Sequence, residues 1–224
     1  MSQSVFFMFA TLPLLLQGAV VAILITVLSI TLGFIVGVPI TFLRIYGNKL
    51  GRGFAYAYEW VLKGLPVLVT LFILYLGFPK LGIQIGSFAA IVIGLGLRSS
   101  AYQAQIYRGA VLSISTEQTE AGLSLGLSRF RTFFTIILPQ AFRLSLPGFT
   151  NEFTIVLKDS PLAYAVGIVE ILKQGRDITT TRGHTFAVYL ACSILYFALF
   201  QLFYFLFQQL NKKFAIPGFI FSKQ

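Results

Sequence analysis

This chain has 224 residues, of which 57% are hydrophobic and 11% charged. Soluble domains average roughly 45–50% apolar and about 25% charged residues, so this composition leaves too few polar groups to cover a water-facing surface, and lipid is the natural solvent. The net charge of +10 does not mark a nucleic-acid binder, because Lys and Arg are spread along short loops. One cysteine, Cys192, and one histidine, His184, exclude an intrachain disulfide and a four-ligand zinc site.

Residues 1–13 contain no Lys or Arg, and no small-x-small cleavage pattern follows the first apolar run. That run therefore reads as an uncleaved membrane helix rather than a secretory signal. A helix needs about 20 mostly apolar residues to cross a bilayer core. Five stretches supply them. They lie near 14–43, with Pro39 close to the end; 57–78, with Pro66 in the first half; 86–110; 139–165, interrupted by Pro147; and 185–210. The pattern predicts an all-α integral membrane protein forming one domain over residues 1–224. Cys192 falls within the last apolar run and reads as a packing residue, while His184 starts that run and reads as interfacial. Trp60, with Tyr56 and Tyr58, suits an interfacial aromatic belt.

Loop charge sets the expected orientation. Arg44, Lys49 and Arg52 separate the first and second spans; Arg108, Arg129 and Arg131 separate the third and fourth, with Arg143 just beyond. Lys212, Lys213 and Lys223 follow the fifth. The opposite side holds Lys80 in one loop and Lys158, Lys173, Arg176 and Arg182 in the other, the latter offset by Asp159, Glu170 and Asp177. The short loops favour an outside N-terminus and a cytoplasmic C-terminus. Within 166–185, the run GIVEILKQG has the makings of a short helix on the outer surface.

The most informative segment is 117–139, EQTEAGLSLGLSRFRTFFTIILP. Ser115 followed three residues later by Gln118 is a capping pattern, so a helix is expected from Thr116. Ala121, Leu123 and Leu125 give it apolar surface, while Glu117 and Glu120 stay polar. Gly126 ends it, Ser128 caps a second helix, and Pro139 fits the first turn of a following one. Two short helices at an angle make a knob for a groove on a soluble partner; the plainer alternative is a re-entry loop packed on its own chain.

Those residues carry a family likeness. Glu120-Ala121-Gly122, then Gly126, Ile136 and Leu138-Pro139, resemble the EAA loop of ABC importer permeases, with Gly122 in place of the usual second alanine. LKGLPVLVTLF at 62–72 resembles "RGTPLLVQLF" of polar amino-acid permeases. SAYQAQIYRGAVLSIS at 100–115 is similar to "GAYVAEIVRGGIQSIP", and LPQAFRLSLPGFTNEFTIVLKDSPL at 138–162 to "LPQALRRALPPLLNEFIALLKDTSL". The four blocks are collinear, and the likeness extends over about 14–212.

The resemblance implies a type I ABC importer subunit with a five-helix core, in a bacterial or archaeal inner membrane. Two such permeases form the translocation path, two separate ATPase subunits bind ATP and Mg, and an extracytoplasmic binding protein delivers a polar amino acid. No GxxxxGK[ST] phosphate loop is present, so this chain is not expected to hydrolyse ATP itself. On this likeness Glu120 anchors the docking helix, Ala121 and Gly122 allow close approach, Leu123 is an apolar contact, Gly126 is the hinge and Pro139 starts the next helix. Lys63, Gly64 and Pro66 match the family's turn into the second span without its Arg and Thr.

Ionisable residues inside spans are functional candidates because their burial is costly. Arg98 suits a substrate carboxylate; snorkelling or pairing with Glu152 are the alternatives. Gln105 stands where the family usually has Glu, and Arg98 where it usually has a small or polar residue. Both changes disfavour a basic amino acid as substrate. Asn151, Glu152, Lys158 and Asp159 on the fourth span complete the candidate substrate path, with capping and ion pairing as plainer roles. Three other functions compete: an ATP-independent transporter or channel subunit, an ABC permease for another solute, and a membrane-embedded enzyme. The last lacks a nucleophile–base pair or metal cluster.

Overall fold

The computed structural model describes the backbone of residues 2–214 and the side chains from residue 11 onward. Among these residues the regular structure is entirely helical. Helix α1 (Ser2–Tyr46) carries Pro13 and Pro39 within it. Asn48 then caps α2 (Lys49–Gly64) by accepting from the Gly51 amide at 2.8 Å. Next come α3 (Val67–Phe72), α4 (Ser87–Leu112), α5 (Thr116–Ser124), α6 (Arg129–Thr132), α7 (Leu138–Asp159), α8 (Ile171–Arg182) and α9 (Thr185–Phe214).

Four of the five stretches expected to cross coincide with single long helices, α1, α4, α7 and α9. The expected span at 57–78 does not. It breaks between α2 and α3 with a bend of 100°. The cause is local: Leu65 is extended (φ −85°, ψ 132°) because a residue before proline is pushed out of the helical region. Beyond α3 the chain tightens through a π-turn (Ile73–Gly77) and a 3-10 turn (Phe78–Leu81), and Gly82 at φ 82° stops it. By length and composition, two of the described helices are apolar enough to cross a bilayer, or three if the bent pair is one span.

Helices α1 and α4 form the most extensive pairing. Gly33 and Gly37, four residues apart on α1, permit it: a Cβ at Gly37 would stand 2.9 Å from the Ser100 carbonyl oxygen, and one at Gly33 would strike the Gln103 amide. Gln103 is fully buried at this seam. Its Nε2 donates to Ile30 O (3.0 Å) and Ser99 Oγ (3.1 Å), and Tyr107 donates to its Oε1 (3.1 Å). Polar residues that make α4 a poor lipid-facing span are thus satisfied inside the protein.

The segment expected to make an outer-surface helix forms α8, but one face of it is buried. Ile171 and Ile178 join Leu15, Val188 and Leu195 in a core shared with α1 and α9. Cys192 lies in that core, where a Cβ at Gly175 would sit 2.6 Å from its sulfur. His184 follows Gly183 at the joint of α8 and α9, both at positive φ (55° and 72°). Elsewhere the surface is strongly apolar, with Val20, Ile35, Phe186, Phe197 and Phe205 exposed. Such an outside suits lipid rather than water.

Candidate functional site: an exposed knob and a cavity between helices

The knob starts where its capping residue predicts. Ser115 Oγ accepts from the Glu117 amide at 3.3 Å, and α5 runs from Thr116 to Ser124. Gly126, at φ 79°, ends it: its amide donates to Leu123 O (3.0 Å) while the Leu127 amide donates to Gly122 O (3.1 Å). This paired reversal satisfies carbonyls that a helix end otherwise leaves open. Ser128 caps α6, accepting from the Arg131 amide at 3.2 Å.

Pro139 falls in the first turn of α7, as expected, but that helix follows α6 directly through a π-turn (Phe133–Ile137), so residues 129–159 form one continuous rod. The Leu138 amide bonds Phe133 O, five residues back, just before proline, which has no amide to donate. The wider turn absorbs what would otherwise be a clash within a helix.

Gly122 is the buried residue of α5, and a Cβ there would stand 2.6 Å from Thr132 Cγ2. Glycine thus lets α5 press directly on α6. Glu120, Ala121, Leu123 and Leu125 face outward, Leu125 being 80% exposed. Glu120 also borders a small cavity with Tyr46, Thr116 and Thr119. An aromatic cluster missed in the sequence ties the knob to the end of α1: the Phe42 ring lies 5.3 Å from that of Phe133 and 5.6 Å from that of Phe130, and Tyr46 lies 5.7 Å from Phe133. The signal was the run FRTFF, whose phenylalanines fall on one side of the rod.

A cavity of about 560 Å³ is lined by residues of α4 and α7. It gathers three of the six candidate path residues: Gln105, Asn151 and Glu152. Although consecutive, Asn151 and Glu152 border the same space, the first at its open side and the second in its buried wall. Glu152 is 2% exposed, and its Oε1 has no hydrogen-bond partner among the described residues. Gln105 Oε1 accepts from Lys63 Nζ at 3.0 Å.

The other three candidates stand apart from this lining. Arg98 pairs with Asp159 (Nη1 to Oδ2, 2.8 Å) rather than with Glu152. Its guanidinium lies 4.9 Å from the centroid of the Tyr102 ring, which does border the cavity. Asp159 is about two helical turns beyond Glu152 on the same face of α7, which places the ion pair outside the cavity lining. Lys158 is exposed, its Nζ 5.5 Å from the Phe200 ring centroid. No cluster of three or more His, Cys, Asp or Glu among the described residues has the arrangement to hold a metal. The site offers hydrogen bonds and charge.

Residues 29–216 match the family described as binding-protein-dependent transport system inner membrane component. The chain is 33% identical over 207 residues to the glutamine transport system permease protein GlnP of Escherichia coli (strain K12), covering 92% of this chain and 94% of that protein. It is 36% identical over 187 residues to the probable amino-acid ABC transporter permease protein YckA of Bacillus subtilis (strain 168), covering 84% and 83%. A solved amino acid ABC transporter with histidines superposes with a TM-score of 0.82 at 29% identity, covering 93% of this chain and 97% of that one. The MetNI methionine transporter in an inward-facing conformation, at 22% identity and a TM-score of 0.77, shares the fold.

Proposed function

The chain belongs to the family of binding-protein-dependent transport system inner membrane components, and from that premise we propose that it is the permease subunit of an ABC importer for polar amino acids. It is a transport subunit; ATP and Mg bind on separate ATPase subunits. Five crossings account for the chain: α1, the bent α2–α3 pair, α4, α7 and α9. The N-terminus lies outside and the C-terminus in the cytoplasm. Two ATPase subunits, a second permease and an extracytoplasmic binding protein complete the assembly in the inner membrane of a bacterium or archaeon.

The observation that carries the coupling role is the exposed face of α5, with Glu120, Ala121, Leu123 and Leu125 outward while Gly122 fixes the helix to the rod below. A docked ATPase that closes on ATP moves α5, and the rigid rod of residues 129–159 carries that movement to Asn151 and Glu152. Gly126 is the pivot and Pro139 lies within the rod. Rocking of packed helices then exposes the path alternately to each side. Gln105, Asn151 and Glu152 contact the substrate. Arg98 and Asp159 form its outer closure, with Lys158 beside them, so a substrate carboxylate must compete with Asp159 for Arg98. The substrate is a neutral or acidic amino acid rather than Arg or Lys.

The test is co-purification with the ATPase and binding protein, followed by ATPase and uptake measurements across an amino-acid panel. Stimulation by a neutral or acidic amino acid is expected. Fastest uptake of Arg or Lys would overturn the substrate preference, and transport by this chain without an ATPase would overturn the coupling role.

A further inference from the structure

A second cavity, of about 410 Å³, opens at the end of the bundle that carries α5. It is bordered by Arg44 of α1, by Glu59, Trp60 and Lys63 of α2, and by Gln105 and Arg108 of α4. Arg44 is two residues from Tyr46, which borders the small cavity beside Glu120. Gln105 borders both this cavity and the one containing Glu152. The Lys63–Gln105 hydrogen bond therefore stands between the two spaces.

The chemistry of this cavity is incomplete. Glu59 is 4% exposed, yet Arg44 Nε is 3.9 Å and Lys63 Nζ 3.8 Å from its carboxylate, close enough for charge pairing but too far for hydrogen bonds. Glu59 Oε1, Arg44 Nε and Arg108 Nε are all buried without a hydrogen-bond partner among the described residues. Native structures leave few such atoms, and here three border one cavity. They amount to one anionic acceptor beside two cationic donors. The complementary ligand carries an ammonium next to an anionic oxygen group, as the main chain of a free α-amino acid does.

We propose that this cavity is a second amino-acid station, holding the ammonium on Glu59 and the carboxylate on Arg44 and Arg108. It rests on the amino-acid importer function proposed above. Substrate leaving the Glu152 cavity crosses the Lys63–Gln105 bridge and pauses here. Product accumulated on the ATPase side fills the same station and slows further import.

The test uses the assembled permease, ATPase and binding protein in vesicles with the ATPase side inward and ATP inside. The probe is L-glutamine, or the panel member taken up fastest. Initial uptake is measured against the concentration of unlabelled probe loaded inside. Internal probe should slow the native complex, whereas its methyl ester and N-acetyl derivatives, each lacking one charge, should not. Glu59→Gln and Arg108→Gln should each raise the half-inhibiting internal concentration by about tenfold or more, the loss expected for one charge-assisted hydrogen bond. Two variants on different helices keep the result readable if one fails to fold.

Uptake by the native complex that ignores internal probe overturns the station and leaves the importer function standing. So does inhibition unchanged in both variants. Inhibition that appears only when ethanolamine phospholipid is omitted would assign the cavity in the native membrane to a lipid headgroup instead. Absence of uptake for every amino acid refutes the importer function, and the station with it.

Discussion

Gly122 shows how one missing methyl group sets the position of the knob. In an isolated helix, replacing Gly with Ala is favourable by about 0.5–1 kcal/mol. Here the added Cβ would meet Thr132 Cγ2 at 2.6 Å and Oγ1 at 2.9 Å. Overpacking of that kind costs about 1–3 kcal/mol, so the steric term exceeds the propensity gain. Gly122→Ala should lower thermal stability and ATPase coupling together. Adding Thr132→Ala should restore both, because it removes the two atoms in the way. A double-mutant cycle on melting temperature and uptake checks this, and additive effects would dismiss the contact. Glu170 is the contrasting case, far from the knob and fully buried. Both its oxygens cap α8, accepting from the Leu172 amide at 2.9 Å and the Lys173 amide at 2.8 Å, and Tyr196 donates to one of them as well. Glu170→Ala removes the cap and the carboxylate partner of the Tyr196 hydroxyl, for a loss of about 2–4 kcal/mol. Tyr196→Phe, which leaves the cap in place, should cost less when thermal unfolding of the purified permease is compared.

Among the elements, α5 was legible because its signals are local. Ser115, Gly126 and Ser128 act through hydrogen bonds to residues a few positions away, which a sequence pattern encodes. The rod beyond it was not. The π-turn at Phe133–Ile137 depends on accommodating Pro139 while the Phe133 side chain stays packed against Phe42 and Tyr46, and those partners are some ninety residues distant in the chain. The break at Pro66 was visible as a proline that forces Leu65 to be extended, but the size of the bend, 100°, is not written in those two residues. The site was legible in the same uneven way. The NEF and AYQAQ segments were found, whereas Arg98 meeting Asp159 instead of Glu152 depends on the register of α4 against α7. Leu125 tests the element itself. It is 80% exposed, so Leu125→Asp should leave permease stability within about 0.5 kcal/mol. If the outward face of α5 docks the ATPase, the same change should weaken ATPase association at least tenfold, measured by co-purification and by binding in detergent. Unchanged association would remove Leu125 from the interface.

For the whole molecule, hydropathy is informative only where a helix faces lipid. Helices α1 and α9 are apolar along their length, and sequence located them easily. Helices α4 and α7 carry Ser99, Ser100, Gln103, Thr150 and Glu152 in buried positions, and this interior polarity keeps them below the apolarity of α1 and α9. A crossing of that kind must be established by which side its ends reach. If the chain makes the proposed five crossings from an outside N-terminus, Leu125 lies on the ATPase side and Leu81, 75% exposed at the end of the bent pair, lies on the opposite side. Cys192 is the sole cysteine and is buried at 3% exposure, so a membrane-impermeant maleimide should label the native chain poorly. In a Cys192→Ser background, Leu81→Cys should react in right-side-out vesicles, and Leu125→Cys only in inverted or opened ones. If both label from one side, the number of crossings between them is even. Helix α4, the long helix between the two positions, could not then be a crossing that separates the knob from the 81–86 turn, and docking of α5 on a cytoplasmic ATPase would require a different path for the chain.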